Sequence, residues 1–513
     1  MQGTRIRLLL GGLLLASAYS NVQAEALQPD PAWQQGKLDN GFNWQLLTTP
    51  QRPNDRIELR LVVRTGSLAE NPQQQGFAHF LPRLALIRSE GFTTAQLQSF
   101  WQQAIDNQRP MSPAVTSYDF TSYNLSLPNG RPDLIKSALH WLVDTSSKMV
   151  VTPDSLHAAW QAPQDPIDSV PSDSGDGWWR YRIGGSTLVG HSPELLPAKT
   201  VKAADLGKFY HQWYTPDVMT LYVVGNVDSR AMAEQIKSAF ASLKGSRQIP
   251  QTMPTLSDVA PKVMSTFDPS LTQDRLSLMW SMPWQPIQDS PALNAYWRSD
   301  LAREALFLHL QQALKTPADS KESKDGGSIQ PALGFDCRVQ YQHAQCAVRM
   351  EAPKEAIQPA LKRLAGELVK VRDNGLSQAE FDALVAQKKD QLGQLFAIYA
   401  RTDTGVLMSQ RLRSQQNGVV DIAPEQYQKL RQAFLSTLTL PDFNQELKQQ
   451  LSHDPSMMLV QPKGEAELSV KTLQDTYDSI VVPTAATPAD APPSTDASQA
   501  STSAGSGSST TVQ

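Results

Sequence analysis

The stretch GSLAENPQQQGFAHFLPRLALI, residues 66–87, sits where one kind of periodicity gives way to another. Ahead of it, Ile57 to Arg64 alternates like a strand; from about Gly76 onward the apolar residues recur at helical spacing. The predicted local structure is a strand, a glycine-bounded connection and a helix. His79 stands on that helix, followed by Phe80, Leu81, Pro82 and Arg83.

Outward from this point the chain reads as two halves in the same order. In the first, Phe42 to Thr48 alternates like Ile57 to Arg64, and the two are expected to pair as strands. Phe120 to Leu127 is another strand, Pro132 to Val143 a helix, Leu221 to Val227 a buried strand and Ser229 to Leu243 a helix. In the second, Arg275 to Met282 is a strand and Ala292 to Leu314 a long helix. Phe335 to Met350 makes two strands, and Ile357 to Asp373 and Ala379 to Leu395 are helices. Strands and helices come in blocks, so the expected fold is α+β: two homologous lobes, each a mainly antiparallel sheet covered by helices.

Composition sets the boundaries. Arg5 and Arg7 precede an apolar run from Leu8 to Ala18, and Val22-Gln23-Ala24 offers small residues for cleavage, so residues 1–24 read as a signal peptide. The first lobe is expected over 25–246. The proline-rich stretch 247–262 is a linker, the second lobe covers 263–481, and 482–513, rich in Pro, Ala, Ser, Thr and Gly, is a disordered tail. The leader's apolar run is too short to span a bilayer comfortably, and no later run is long and uncharged, so no transmembrane segment is expected after cleavage. A periplasmic protein follows. Cys337 and Cys346 then lie in a compartment where a disulfide persists, and they flank residues able to turn a hairpin. Two buried thiols are the other reading. The formal charge of −4 on 513 residues provides no basic surface for nucleic acid or anionic lipid.

The segment Gly66-Ser67-Leu68-Ala69-Glu70 followed by Gly76-Phe77-Ala78-His79-Phe80-Leu81 resembles the metal-site signature of the pitrilysin/insulinase family of zinc peptidases. Thr116-Ser117-Tyr118-Asp119 with Thr121, the run from Phe209 to Asp228, and Asn374-Gly375-Leu376-Ser377 with Glu380 extend the resemblance over nearly all of the remaining chain. It implies two lobes enclosing a cleft, and in active relatives a zinc ion held by the inverted motif His-x-x-Glu-His. That chemistry needs two imidazoles one helical turn apart and a carboxylate to deprotonate the metal-bound water. Here the five residues are His79-Phe80-Leu81-Pro82-Arg83. Proline has no proton-accepting side chain, and a guanidinium offers a metal no lone pair. Pro82 inside a helix also removes a backbone donor.

The resemblance places the third ligand, a glutamate, near residues 150–164, yet no glutamate occurs between Gly91 and Pro193. Asp154 and Asp165 lie there and suit a loop or a helix N-cap. The resemblance also implies a second-lobe tyrosine supporting the oxyanion; the matching position is Phe335, whose ring has no hydroxyl. Of the eight histidines no two are spaced to face one another on one helix, and a surface role suits them; His191-Ser192-Pro193-Glu194 is a loop. No G-x-S-x-G elbow or phosphate-binding loop occurs. Trp178-Trp179-Arg180-Tyr181-Arg182 reads as core and rim packing, with a peptide-binding wall as the sharper alternative.

These readings converge on a non-catalytic homologue of zinc metallopeptidases that expects no cofactor. It is expected to bind a peptide or a protein partner through the inter-lobe cleft, the partner being an active paralogue or a second copy among other proteins. The competing reading is a zinc metalloendopeptidase with rearranged ligands drawn from His79 and nearby aspartates.

Overall fold

The computed structural model describes residues 26–482 apart from 53, 163–166, 171–178, 180–181, 257–261, 316–330 and 465–466. The expected leader, the expected tail beyond Val482, Asp165, Trp178, Arg180 and Tyr181 lie outside the described residues.

The first lobe holds β1 (Trp33–Lys37), β2 (Asn43–Thr48), β3 (Ile57–Val63), α1 (Phe77–Ile87), α2 (Thr94–Ala104), β4 (Ala114–Thr116) and β5 (Thr121–Leu127). They are followed by α3 (Pro132–Ser147), α4 (Pro153–Gln161), β6 (Ile167–Ser169), α5 (Ala203–Trp213), β7 (Met219–Gly225) and α6 (Ser229–Phe240). Its sheet runs β1-β2-β7-β3-β5-β4-β6. The second lobe holds β8 (Val263–Asp268), β9 (Asp274–Pro283), α7 (Ser290–Lys315), β10 (Ala332–Gln340), β11 (His343–Ala352), α8 (Lys354–Asn374) and α9 (Gln378–Gly393). After these come α10 (Leu395–Arg401), α11 (Thr404–Gln416), α12 (Pro424–Thr437), α13 (Leu440–Gln450), β12 (Ser456–Pro462) and α14 (Val470–Val481). Its sheet runs β10-β11-β9-β12-β8.

The two sheets repeat one pattern of pairing. In the first, β2 is parallel to β7, and β7, β3, β5 and β4 then pair antiparallel in succession. In the second, β8 is parallel to β12, and β12, β9, β11 and β10 follow in the same manner. β4 and β10 are therefore counterparts. The expected pairing of the first two alternating strands is corrected: β7 lies between β2 and β3. The local pattern of β3 could not reveal this, because its neighbour is supplied by residues 219–225, far along the chain. Nor does β3 have a wet face, since nearly every residue in it is buried. One face of the sheet carries the core of α1 to α6, with Phe80, Trp141, Phe209 and Phe240 inaccessible. The other packs Leu47, Tyr222 and Val224 against Leu407 and Met408 of α11, from the second lobe.

The lobes are joined by more than this contact. Thr404 Oγ1 donates to the Arg56 carbonyl at 2.8 Å, and Arg411 Nε donates to Gln45 Oε1 at 2.8 Å. The residues just before β1 belong to the second lobe's surface, not to the first lobe expected from residue 25. Leu27 donates its amide to Gln288 O at 3.0 Å and buries its side chain in the second lobe's core; the Asp30 amide reaches Asp421 O at 2.8 Å.

β10 and β11 form a hairpin whose register sets Cys337 directly opposite Cys346, and the two sulfurs are bonded. Its two-residue turn is Tyr341-Gln342, at φ 48° and 62°, the mirror-image turn that a twisted hairpin favours and that glycine or asparagine usually supplies. Among the described residues no helix is long and apolar enough to cross a membrane.

Candidate active site

The start of α1 is fixed by Glu70. Its Oε2 accepts the Gly76 amide at 2.9 Å and its Oε1 the Ala78 amide at 2.7 Å, so a buried carboxyl satisfies donors that the helix itself leaves open. Burial pushes this carboxyl up to about 8 against the pull of those amides. Gly76 is left-handed at φ 86°, and a Cβ there would meet the Leu196 carbonyl carbon and the Pro197 nitrogen at 2.4 Å. A Cβ on Gly66 would fall 2.1 Å from the Ser117 carbonyl oxygen. These glycines let the connection pass flush against its neighbours.

His79, Pro82 and Arg83 all lie within α1, and all three are buried. The helix runs unbroken through Pro82, which can donate no amide to the carbonyl of Ala78 one turn back. His79 Nδ1 lies 3.2 Å from Ser169 Oγ on β6. The Ser169 hydroxyl gives its single proton to the Pro193 carbonyl at 2.9 Å, so it accepts from a protonated Nδ1. Arg83, only 5% exposed, donates from Nη2 to the carbonyl of Ala159 at 3.0 Å. That carbonyl lies in the last turn of α4, where helix carbonyls lack internal donors and a cation is favoured. Phe80 and Trp160, with centroids 4.6 Å apart, join the same two helices.

α4 lies where the resemblance puts the third ligand. The side chains it buries are Ser155, Leu156 and Ala159, none of them a carboxylate. Asp154 sits in its first turn, but the N-cap expected of it is Thr152, in a reciprocal box with Ser155. The surface role expected for the other histidines is too plain for two of them. His191 lies half-buried with Nδ1 3.1 Å from the Ser67 carbonyl, and His309 is held between Glu380 at 2.7 Å and Glu367 at 3.3 Å.

Zinc does not fit this donor set. A ligand's position is filled by a guanidinium engaged with a helix carbonyl, the base's position by a proline, and α4 offers no carboxylate from its buried face. Among the described residues no three of His, Cys, Asp and Glu come together in a way that could hold a metal ion.

From the second lobe, Phe335 turns to its own side, stacking on Phe307 at 5.4 Å. Tyr341 at the hairpin tip, which the sequence reading passed over, does cross to the first lobe. Its hydroxyl lies 2.8 Å from Ser117 Oγ, and its ring packs against Tyr118 and Trp179. Trp179 is wholly buried and donates to Tyr118 Oη at 3.1 Å, while Arg182 donates to Gln345 of β11. That pair is therefore packing, with one arm bridging the lobes. Beside the hairpin a cavity of about 940 Å³ opens between the lobes, lined by Trp33, Ser117 and Val170 on one side and by Trp284, Cys337–Tyr341 and Tyr399 on the other.

Residues 46–174 match the family described as Insulinase (Peptidase family M16), and residues 200–314 match the Peptidase M16 inactive domain. The chain is 55% identical to Protein YhjJ of Escherichia coli (strain K12), over 95% of this chain and 96% of that protein. Among solved structures it resembles one described as a predicted insulinase family protease from Yersinia pestis: TM-score 0.85, 60% identity, 92% of this chain and 100% of that one. It also shares the fold of the periplasmic protease PqqL from Escherichia coli, with TM-score 0.74 and 20% identity over 91% of this chain and 52% of PqqL.

Proposed function

The chain belongs to the M16 insulinase family of peptidases, and from that premise we propose that it is a non-catalytic member, exported to the periplasm, that binds extended polypeptide between its two lobes. One observation carries the loss of catalysis: Arg83, in the second histidine's position, is buried and donates to Ala159 O at 3.0 Å. A histidine ligand has to point its lone pair at the metal, whereas this side chain brings a positive charge and is engaged with the neighbouring helix. Pro82 beside it has no group able to take a proton from water.

Binding is supported by what remains. The cavity between the lobes is of ligand size and rich in aromatic side chains. Export is supported by the charged and apolar leader pattern of residues 5–24, and a disulfide in the second lobe suits an oxidising compartment.

The test is metal analysis of full-length protein purified without chelator, alongside cleavage assays on unfolded polypeptide. The proposal expects zinc well below one ion per chain, no cleavage, and measurable polypeptide binding. One tightly bound zinc whose removal abolishes cleavage would establish the rearranged metallopeptidase instead.

A further inference from the structure

In the first sheet β2 turns one edge to β7 and has the other covered by β1, antiparallel from Trp33 opposite Leu47 to Lys37 opposite Asn43. Its counterpart β8 pairs with β12 alone among the described residues and ends the second sheet on the side away from β10. Ser265, Thr266 and Phe267 are exposed there, Phe267 by 46%. The strand lacks two usual protections of a bare edge: no proline interrupts it, and no charge lies between Val263 and Phe267. None of its residues lines the inter-lobe cavity.

The Met457 amide donates to Lys262 O at 2.8 Å, and the Lys262 amide donates to Ser456 Oγ at 3.3 Å, so Lys262 aims both main-chain groups at β12. Alternation along a strand gives the same aim to Met264, Thr266 and Asp268 and turns the main-chain groups of Val263, Ser265 and Phe267 outward. An antiparallel strand that meets this edge has to align its own outward residues with these.

We propose that β8 pairs antiparallel with β8 of a second copy of this chain, about a twofold axis at Ser265. Val263 then faces Phe267 of the other copy and Ser265 faces its own equivalent, so every outward residue of the strand meets another outward residue and exchanges both hydrogen bonds with it. The same register sets the exposed Lys262 against Asp268 at both ends. Val263 packs on the second lobe's core, and Phe267 stands on the same face of the strand, so each exposed Phe267 ring gains an apolar neighbour across the axis. A shift of two residues either way keeps the outward alignment but loses pairs and both charge contacts. Pairing here leaves the inter-lobe cavity open and is independent of what that cavity binds.

Sedimentation of the full-length chain over a concentration series at low salt should show a concentration-dependent dimer. Lys262→Asp, which sets Asp against Asp, should raise the dissociation constant about tenfold, and adding Asp268→Lys to the same chain should recover it. Ser265→Pro removes the outward amide at the axis from an edge that tolerates proline, and should weaken the dimer by a similar factor without lowering Tm. Cys337 and Cys346 are bonded to each other and are the only cysteines, so Ser265→Cys introduces one free thiol per chain. Across the axis the two Cα atoms lie about 5.5 Å apart and should oxidise to a covalent dimer, whereas Phe267→Cys places them roughly 14 Å apart and should not. A chain that sediments as a monomer throughout and does not cross-link at residue 265 overturns the proposal. So does a dimer indifferent to Ser265→Pro and to the charge reversal, because its contact lies elsewhere.

Discussion

The hydroxyl of Tyr341 and the Oγ of Ser117 lie 2.8 Å apart, though the two residues belong to different lobes. This bond and the packing of the Tyr341 ring on Tyr118 and Trp179 make the tip of the disulfide-braced hairpin a fastening between the lobes. Tyr341→Phe removes the bond alone and should cost about 1 kcal/mol in chemical denaturation. Tyr341→Ala also removes the ring and should cost about 3 kcal/mol, with faster hydrogen exchange at residues 116–118. Equal losses for both variants would mean that the ring contributes nothing.

Arg83→Ala leaves a helix-terminal carbonyl without its donor and opens space between α1 and α4, so a loss of about 2–4 kcal/mol is expected by denaturant titration. The double change Pro82→Glu with Arg83→His restores the motif's lettering, yet α4 still buries only Ser155, Leu156 and Ala159. No cleavage of a quenched fluorescent peptide should appear with added zinc. Activity from these two substitutions alone would show that the third ligand comes from elsewhere.

Glu70 ties stability to pH in an unusual direction. Its carboxyl titrates near 8 in the fold against an ordinary value of 4.5, so between those limits the folded state binds more protons than the unfolded chain. Its contribution is complete below 4.5 and is lost as pH rises through 8. Glu70→Gln removes the titration, so the stability gap between wild type and variant should narrow from pH 5 to pH 8. A gap that stays constant from pH 5 to pH 8 would mean that the carboxyl is already ionised in the fold.

Gly76→Ala forces a side chain into the left-handed region and against backbone atoms of residues 196 and 197. A loss of at least about 2 kcal/mol is expected, from a conformational cost near 1 kcal/mol plus the displacement of main chain. Thermal denaturation reads it directly; a loss of a few tenths would mean that the 195–197 loop moves aside freely.

Local patterns carried the elements well because helices and strands announce themselves by spacing within a few residues. α1 begins at Phe77, beside the expected Gly76, and the two strands expected from Phe335 to Met350 are β10 and β11. What the sequence hid was non-local. Nothing in Phe42 to Thr48 says that Met219–Gly225 will separate it from β3, and nothing in Arg83 says that its partner is a main-chain oxygen on another helix. Tyr341 was missed for a related reason: its turn lacks the Asn-Gly that marks such hairpins, and its partner lies in the other lobe. The faint available signal was a polar pair placed midway between two cysteines.

The clasp of residues 26–30 by the second lobe has a temporal consequence. Leu27 cannot be covered until the chain has been made as far as Gln288, nor Asp30 until Asp421 exists. A nascent first half therefore leaves Leu27 and Asp30 without their native partners while the remainder is still arriving. Completion of the second half then covers Leu27 and ties Asp30, so the residues that lead into the first sheet settle only when the whole fold closes.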